Sequence, residues 1–207
     1  MPVDVVNGTP IAYDEAGTGE TVVLVHGSWN QRQAWGFVVP PLADSFRVVT
    51  YDRRGHGDSE ARPDAGTVHD DVADLAALIE TLHAAPAYVA GNSFGACIAL
   101  RLAADRPALV KKVVAHEPPF IDLLDASPDT RPMVQATKRE LDEVRARLEA
   151  GDHAGAAEYF VEHVASVRAR GRRCLRRCNK ASLPTPRPIS VSWPIPMRPR
   201  LIRQHSP

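Results

Sequence analysis

The sequence predicts an α/β fold, a mostly parallel, doubly wound sheet with helices on both faces. Three observations predict it. Short apolar runs recur at 22–25, 87–90 and 113–115, and the β-branched one at 22–25 has the length and composition of a strand buried on both faces. Helical periodicity fills the stretch between two of these runs, which requires crossover connections and parallel strands. Loops rich in glycine and charge follow the runs, at the carboxyl edge where such sheets carry their chemistry.

The elements follow in order. TPIAYDEAG (9–17) reads as a strand ending in a glycine turn, TVVLVHG (21–27) as a second and SFRVVTYD (45–52) as a third. Over 68–83, Val68, Val72, Leu75, Ile79 and Leu82 form one apolar helical stripe. Thr67 and Asp70 sit at capping-box spacing in front of it. AYVAG (87–91) is the next strand. FGACIALRLAAD (94–105) is apolar nearly all round and reads as a buried helix ended by Pro107. KKVVAHE (111–117) is one more strand. PPFIDLLDASPDTRP (118–132) leaves the sheet. Val134, Leu141, Val144 and Leu148 then give a helical stripe, and Asp152 caps a second helix with Phe160, Val161 and Val164 expected inward. The pair is expected to form a lid over the sheet's carboxyl edge, with an ordinary crossover helix as the alternative.

Composition bounds the function. The 207 residues suit one domain, or one domain with an appendage, and 44% apolar content supports a core. No apolar run approaches the length of a membrane span. MPVDVVNGTP lacks the basic-then-apolar pattern of a secretory signal, and three cysteines do not make a disulfide framework. A soluble cytoplasmic protein is expected. The balanced 25 basic and 25 acidic residues conceal an asymmetry: 166–207 holds 11 Lys and Arg and no acid, against 14 basic and 25 acidic residues before it. The chain is therefore divided into 1–117, 118–165 and an Arg/Pro-rich tail, 166–207, whose composition resists a packed core.

The chemistry-bearing motif is GNSFG (91–95), between the strand at 87–90 and the helix at 94–105. It fits the Gly-x-Ser-x-Gly nucleophile elbow in its strand–turn–helix setting. Such a turn brings the residues two before and two after the serine against neighbouring backbone, so Gly91 and Gly95 are needed there, with small Ala96 beyond. The turn pushes the Ser93 hydroxyl into the cleft, and the helix starting at Phe94 aims its positive end at a developing oxyanion.

With this motif the chain resembles the α/β-hydrolase fold family. VLVHGSW (23–29) is similar to the family's His-Gly oxyanion segment after the third strand. YDRRGHGDS (51–59) is similar to its Asp-x-Arg-Gly-His-Gly-x-Ser loop after the fourth, and GNSFG to its elbow after the fifth. The resemblance covers 3–117 strongly, 118–165 weakly and 166–207 not at all. It implies Ser93 as nucleophile and the backbone N–H groups of Phe94 and Ser28 as oxyanion-hole donors. It implies Trp29 as a wall of the substrate pocket. It also implies that His26 and His56 hold loops, and that Asp52 and Arg53 pair within theirs. Cys97 reads as a small core residue.

A serine needs a base, and the base an orienting acid. The family places these after later strands, and no strand pattern follows residue 117. Glu117 is the substitute acid, just past the last predicted strand. His116, His153, His163 and His205 follow Ser93 but match no family motif. The chain as given is expected to be a weak or inactive serine hydrolase and a marginal fold with an open sheet edge.

Three readings of 166–207 compete: a basic tail for nucleic acid or anionic membrane, a metal site at Cys174 and Cys178, and an out-of-frame translation. The third is favoured, because reading 166–187 two bases later allows an Arg-free, mixed-polarity segment similar to the family's lid segments. The DNA past codon 165 decides it: stop codons in the shifted frame would end the idea.

The expected function is hydrolysis of an ester or similar carbonyl compound, with a small-molecule substrate. No metal or organic cofactor is implied, and no nucleic-acid or membrane partner is expected. The oligomeric state is not readable. A non-catalytic ligand-binding protein, or a lyase, perhydrolase or acyltransferase on the same scaffold, are the alternatives.

Overall fold

A computed structural model of the chain describes residues 2–59, 66–125 and 127–165. Six strands, β1 (Val3–Val6), β2 (Thr9–Ala16), β3 (Thr21–Val25), β4 (Arg47–Tyr51), β5 (Ala87–Asn92) and β6 (Val110–His116), form one sheet. Their order is β1-β2-β4-β3-β5-β6. β3 runs parallel to β4 and β5, and β5 parallel to β6, while β2 is antiparallel to β1 and β4. The predicted mostly parallel sheet is therefore present, with an antiparallel margin at its amino-terminal side. All five residues of β3, the run richest in β-branched residues, are buried.

Helices cover both faces. On one, α2 (Val68–Thr81) and α3 (Phe94–Asp105) place Leu75, Leu78, Ile79, Ile98 and Leu102 on Val23, Val25, Val49 and Val89. On the other, a 3-10 turn (Arg32–Trp35) and the short helix α1 (Val39–Ala43) pack Trp35, Val39 and Leu42 on Val22, Leu24 and Val48. Among the described residues β6 is the last strand of the sheet, and its Val114 is 65% exposed. No described helix is long and apolar enough to cross a membrane.

The capping box is formed. Asp70 N–H donates to Thr67 Oγ1 at 3.3 Å and Thr67 N–H donates to Asp70 Oδ2 at 2.7 Å. The Thr67 N–H and the Thr67 hydroxyl, each donating to Asp70 Oδ2 at 2.7 Å, also hold the Asp70 carboxyl below its ordinary pKa. Thr67→Ala removes an acceptor for an orphan N–H and is expected to lower stability by about 1 kcal/mol. Urea unfolding at pH 7 measures it; an unchanged midpoint would show that the cap contributes nothing.

Three features departed from expectation. β1 and α1 were not anticipated: four residues of strand, and a helix of VPPLA carrying two prolines, leave no periodicity to read. α4 (Arg131–Glu149) starts one turn earlier than its stripe, with Pro132 in the first turn, where a proline loses no hydrogen bond. α5 (His153–Tyr159) is capped by Asp152, which accepts from Gly155 N–H at 2.9 Å. It then widens into a π-helix over Phe160–Ala165. The wider turn breaks the 3.6-residue spacing, so Val161 faces outward at 37% exposure while Phe160 and Val164 stay half-buried. The 166–207 tail, with Cys174, Cys178 and His205, lies outside the described residues.

Candidate active site

The site is assembled at the carboxyl ends of β3, β4 and β5. β5 ends at Asn92 and α3 begins at Phe94, so one residue, Ser93, makes the whole turn. Its backbone lies at φ 52°, ψ −121°, a region that costs an L-residue on the order of 1–3 kcal/mol. The neighbours hold it there. Ser93 N–H donates to the His116 carbonyl at 2.8 Å, and the Ser93 carbonyl accepts from Ala96 N–H at 2.9 Å. Although Ser93 stands at the N-cap position, its hydroxyl makes no capping bond. The side chain is half-buried, and its hydroxyl has no hydrogen-bond partner among the described residues.

The flanking glycines are sterically required. A Cβ on Gly91 would stand 2.2 Å from Gly95 O, and one on Gly95 would stand 2.2 Å from Val25 O. The start of α3 therefore lies directly on the end of β3. Phe94 is the first residue of α3, so its N–H has no acceptor within the helix.

Gly27 closes the site from the β3 side. A Cβ there would meet Asn92 O at 3.0 Å and Ser93 Cβ at 3.1 Å. Ser28 follows, exposed, and then Trp29 at φ 59°. The Trp29 ring packs 5.9 Å from that of Phe160, so the helical segment after β6 meets the β3 turn beside Ser93. A cavity of about 190 Å³ opens next to the elbow, lined by His26, Gly27, Asn30, Ala34, Trp35, Asn92 and His116, but by neither Ser93 nor Trp29.

The two histidines of the loops are fully engaged. His26 Nδ1 lies 2.8 Å from Gly27 O, which can only accept, so Nδ1 carries the hydrogen. His26 Nε2 accepts from Arg53 N–H at 3.0 Å. His56 repeats the pattern, donating from Nδ1 to Arg54 O and accepting at Nε2 from Arg53 Nη2, both at 3.0 Å. Burial, then the Arg53 charge, drive His26 well below the ordinary imidazole pKa and His56 down to about 3. Each ring is a neutral strut between loops, with no lone pair left for Ser93.

Asp52 and Arg53 do not pair with each other. Asp52 accepts from the Arg32 backbone N–H at 2.7 Å and from Asp58 N–H at 2.9 Å, and it forms an ion pair with the Arg32 guanidinium. Arg53 turns the other way, to Asp71 of α2 at 3.2 Å. Adjacent residues leaving a strand point to opposite faces, which separates the two side chains and sends each to a partner on its own side.

The substitute acid and bases are not gathered around Ser93. Glu117, exposed at φ 51°, forms no hydrogen bond or ion pair among the described residues. His116 Nδ1 faces Asn92 Nδ2 at 2.8 Å. His163 stacks on Tyr159 with ring centroids 4.0 Å apart. His153 keeps a buried Nδ1 without a partner among the described residues. Burial raises the half-buried Cys97 thiol to about 11, so it stays protonated at neutral pH. Among the described residues no group of three or more His, Cys, Asp or Glu has metal-binding geometry.

The α/β-hydrolase fold family profile matches residues 20–174. The chain belongs to that family. The match runs past residue 165, so the family signal enters the basic segment, which the motif resemblance does not cover. A Mycobacterium tuberculosis protein named as a non-heme bromoperoxidase is 43% identical over 110 residues, covering 50% of this chain and 40% of the relative. An uncharacterized hydrolase of Bacillus subtilis is 38% identical over 123 residues, 58% of this chain and 45% of the other. Among solved structures, an α/β hydrolase from Sphaerobacter thermophilus matches at TM-score 0.65 and 32% identity. It covers 78% of this chain and 60% of its own. The enol-lactonase of Burkholderia xenovorans matches at TM-score 0.54 and 32% identity, over 55% of this chain and 45% of its own. The matches to the curated relatives thus span less than half of their length.

Proposed function

We propose that the chain carries the nucleophile and oxyanion half of a serine hydrolase acting on an ester or similar carbonyl compound. The observation that carries this reading is the Ser93 turn: one residue at positive φ between β5 and α3, locked by glycines whose side chains would strike backbone. Strain held this firmly belongs at a functional site rather than in an idle loop. Ser93 Oγ bonds to the carbonyl carbon, its proton passes to solvent, and the alcohol leaves with a proton. Water then hydrolyses the acyl-enzyme. Phe94 and Ser28 N–H groups hold the oxyanion, and Trp29 lines the pocket. In this reading 1–117 is the core and 118–165 the lid, with Phe160 touching Trp29. The substrate is a small molecule, the reaction uses no metal or organic cofactor, and the protein works in the cytoplasm with no nucleic-acid or membrane partner.

Turnover is expected to be weak. No described histidine ring hydrogen-bonds the Ser93 hydroxyl, and Glu117 orients none. Oxyanion and binding effects alone support roughly 10³–10⁴ over water. The same observation favours a second reading, a small-ligand binder that has lost catalysis; a lyase, perhydrolase or acyltransferase on this scaffold stays as the further alternative. Hydrolysis of p-nitrophenyl acetate separates the hydrolase from the binder. Ser93→Ala is expected to lose the acylation step and to hydrolyse more slowly than the parent, keeping only the oxyanion and binding effects, and equal rates in the two proteins would remove the nucleophile.

A further inference from the structure

We propose that Asp71, acting through Arg53, is a positioning residue that sets the two turns bearing the Ser28 and Phe94 N–H groups. The proposal rests on the nucleophile reading above and adds to it a residue far from the elbow in sequence.

Arg53 is 4% exposed and permanently charged. Four segments meet at it. Its Nη1 pairs with Asp71 Oδ2 of α2 at 3.2 Å. Its Nη2 reaches His56 Nε2 at 3.0 Å and Gly27 O at 3.4 Å. Its guanidinium lies over the Phe94 ring, 5.0 Å from the centroid. Its own N–H holds His26 Nε2.

The Gly27 contact matters because a peptide unit is one rigid plane. The Gly27 carbonyl and the Ser28 N–H belong to the same unit and point opposite ways. Two donors, Arg53 Nη2 and His26 Nδ1, fix the carbonyl and so aim the N–H. The Phe94 ring beneath the guanidinium fixes the first residue of α3, which carries the other N–H. Both turns are therefore referred to one cation.

What orients that cation is Asp71. It is 7% exposed and is the carboxylate that contacts Arg53 among the described residues. The two histidines beside Arg53 are neutral, so Asp71 supplies the balancing charge. A buried guanidinium without a counter-ion is strongly unfavourable and turns toward solvent or other acceptors. That rotation would release Gly27 O and Phe94 together.

The full chain labelled with 5-fluorotryptophan tests this. The Trp29 ¹⁹F resonance is identified by its loss in Trp29→Phe. In Asp71→Asn this line is expected to shift and broaden, because Trp29 follows Ser28 in the same turn. The acylation rate at saturating p-nitrophenyl acetate is expected to fall about ten- to hundredfold, the effect of a small misplacement, with KM nearly unchanged. In an Arg53→Lys background, Asp71→Asn is expected to change that rate less than about twofold, since a single ammonium nitrogen cannot carry the Asp71 contact over to Gly27 O. Arg53→Lys keeps the charge pair but loses the fork, and should move the Trp29 line by itself, which preserves the test if Asp71→Asn does not fold. An unmoved Trp29 line, or an equal rate loss in both backgrounds, overturns the proposal. If Ser93→Ala leaves the parent rate unchanged, the nucleophile reading fails separately, and the Trp29 line alone decides whether Asp71 sets the turn.

Discussion

Gly95→Ala is expected to destabilise the protein by about 3 kcal/mol or more, enough to remove most soluble product from a domain of ordinary stability. Helix propensity argues the other way: alanine in the first turn of α3 should gain up to about 1 kcal/mol over glycine. Close approach decides it. The added Cβ would lie 2.2 Å from Val25 O and 2.6 Å from His26 O, both backbone atoms. Val25 is fully buried and β3 is hydrogen-bonded on both sides, so neither atom can yield. The start of α3 would have to lift away, taking Ser93 with it. Gly151→Ala is the control. Its Cβ meets nothing within 4 Å, so only the positive φ of 81° is penalised, at about 1 kcal/mol. Urea unfolding and soluble yield of the two variants make the comparison. Equal behaviour would mean that the elbow does not rest on β3.

The second large effect is acid lability from His26 and His56. Their folded-state pKa values lie below the unfolded value near 6.5, His56 at about 3. Above pH 6.5 both states are neutral and the pair contributes nothing. Below it the unfolded chain takes up protons that the folded chain refuses, so stability falls with pH down toward pH 3. Each histidine contributes up to about 1.4 kcal/mol per pH unit. Between pH 7 and pH 5 the pair should cost about 4 kcal/mol. Asp70, whose pKa is lowered, adds to the loss in the carboxylate range; Asp71, whose pKa is raised by burial, opposes it there. Urea unfolding at half-unit steps measures the slope. His56→Gln can still donate to Arg54 O and accept from Arg53, and should halve the slope between pH 6.5 and 5. A flat profile in the parent protein would show that the rings are not held neutral.

Much of the fold was legible in the chain. The run TVVLV, apolar at every position after Thr21, announced a strand covered on both faces, and β3 is buried at all five residues. The stripe from Val68 to Leu82 and its Thr67–Asp70 box predicted α2. The single-residue junction at Ser93 followed from GNSFG between a strand and a helix. What was missed lacked a period: four residues of β1, the proline-rich α1, and the π-helix that carries Val161 outward. Gly27, Asn92 and Asp71 were also missed as parts of the site. Gly27 and Asn92 lay inside quoted motifs, but no spacing rule says that one would touch Ser93 Cβ or that the other would face His116.

Local order and steric necessity were thus the sequence's own to determine, because periodicity and the absence of a Cβ act over a few residues. Partnership was decided only by the tertiary structure. Asp52 finds Arg32, Arg53 finds Asp71, and His26 finds Arg53, across separations of 20, 18 and 27 residues. The pattern of the chain allowed several charges to compete for each of these partners. Burial removed the competition, since a charge taken out of water stays only where a counter-charge and hydrogen-bond acceptors already stand. Which ones stand there depends on how β3, β4 and α2 pack.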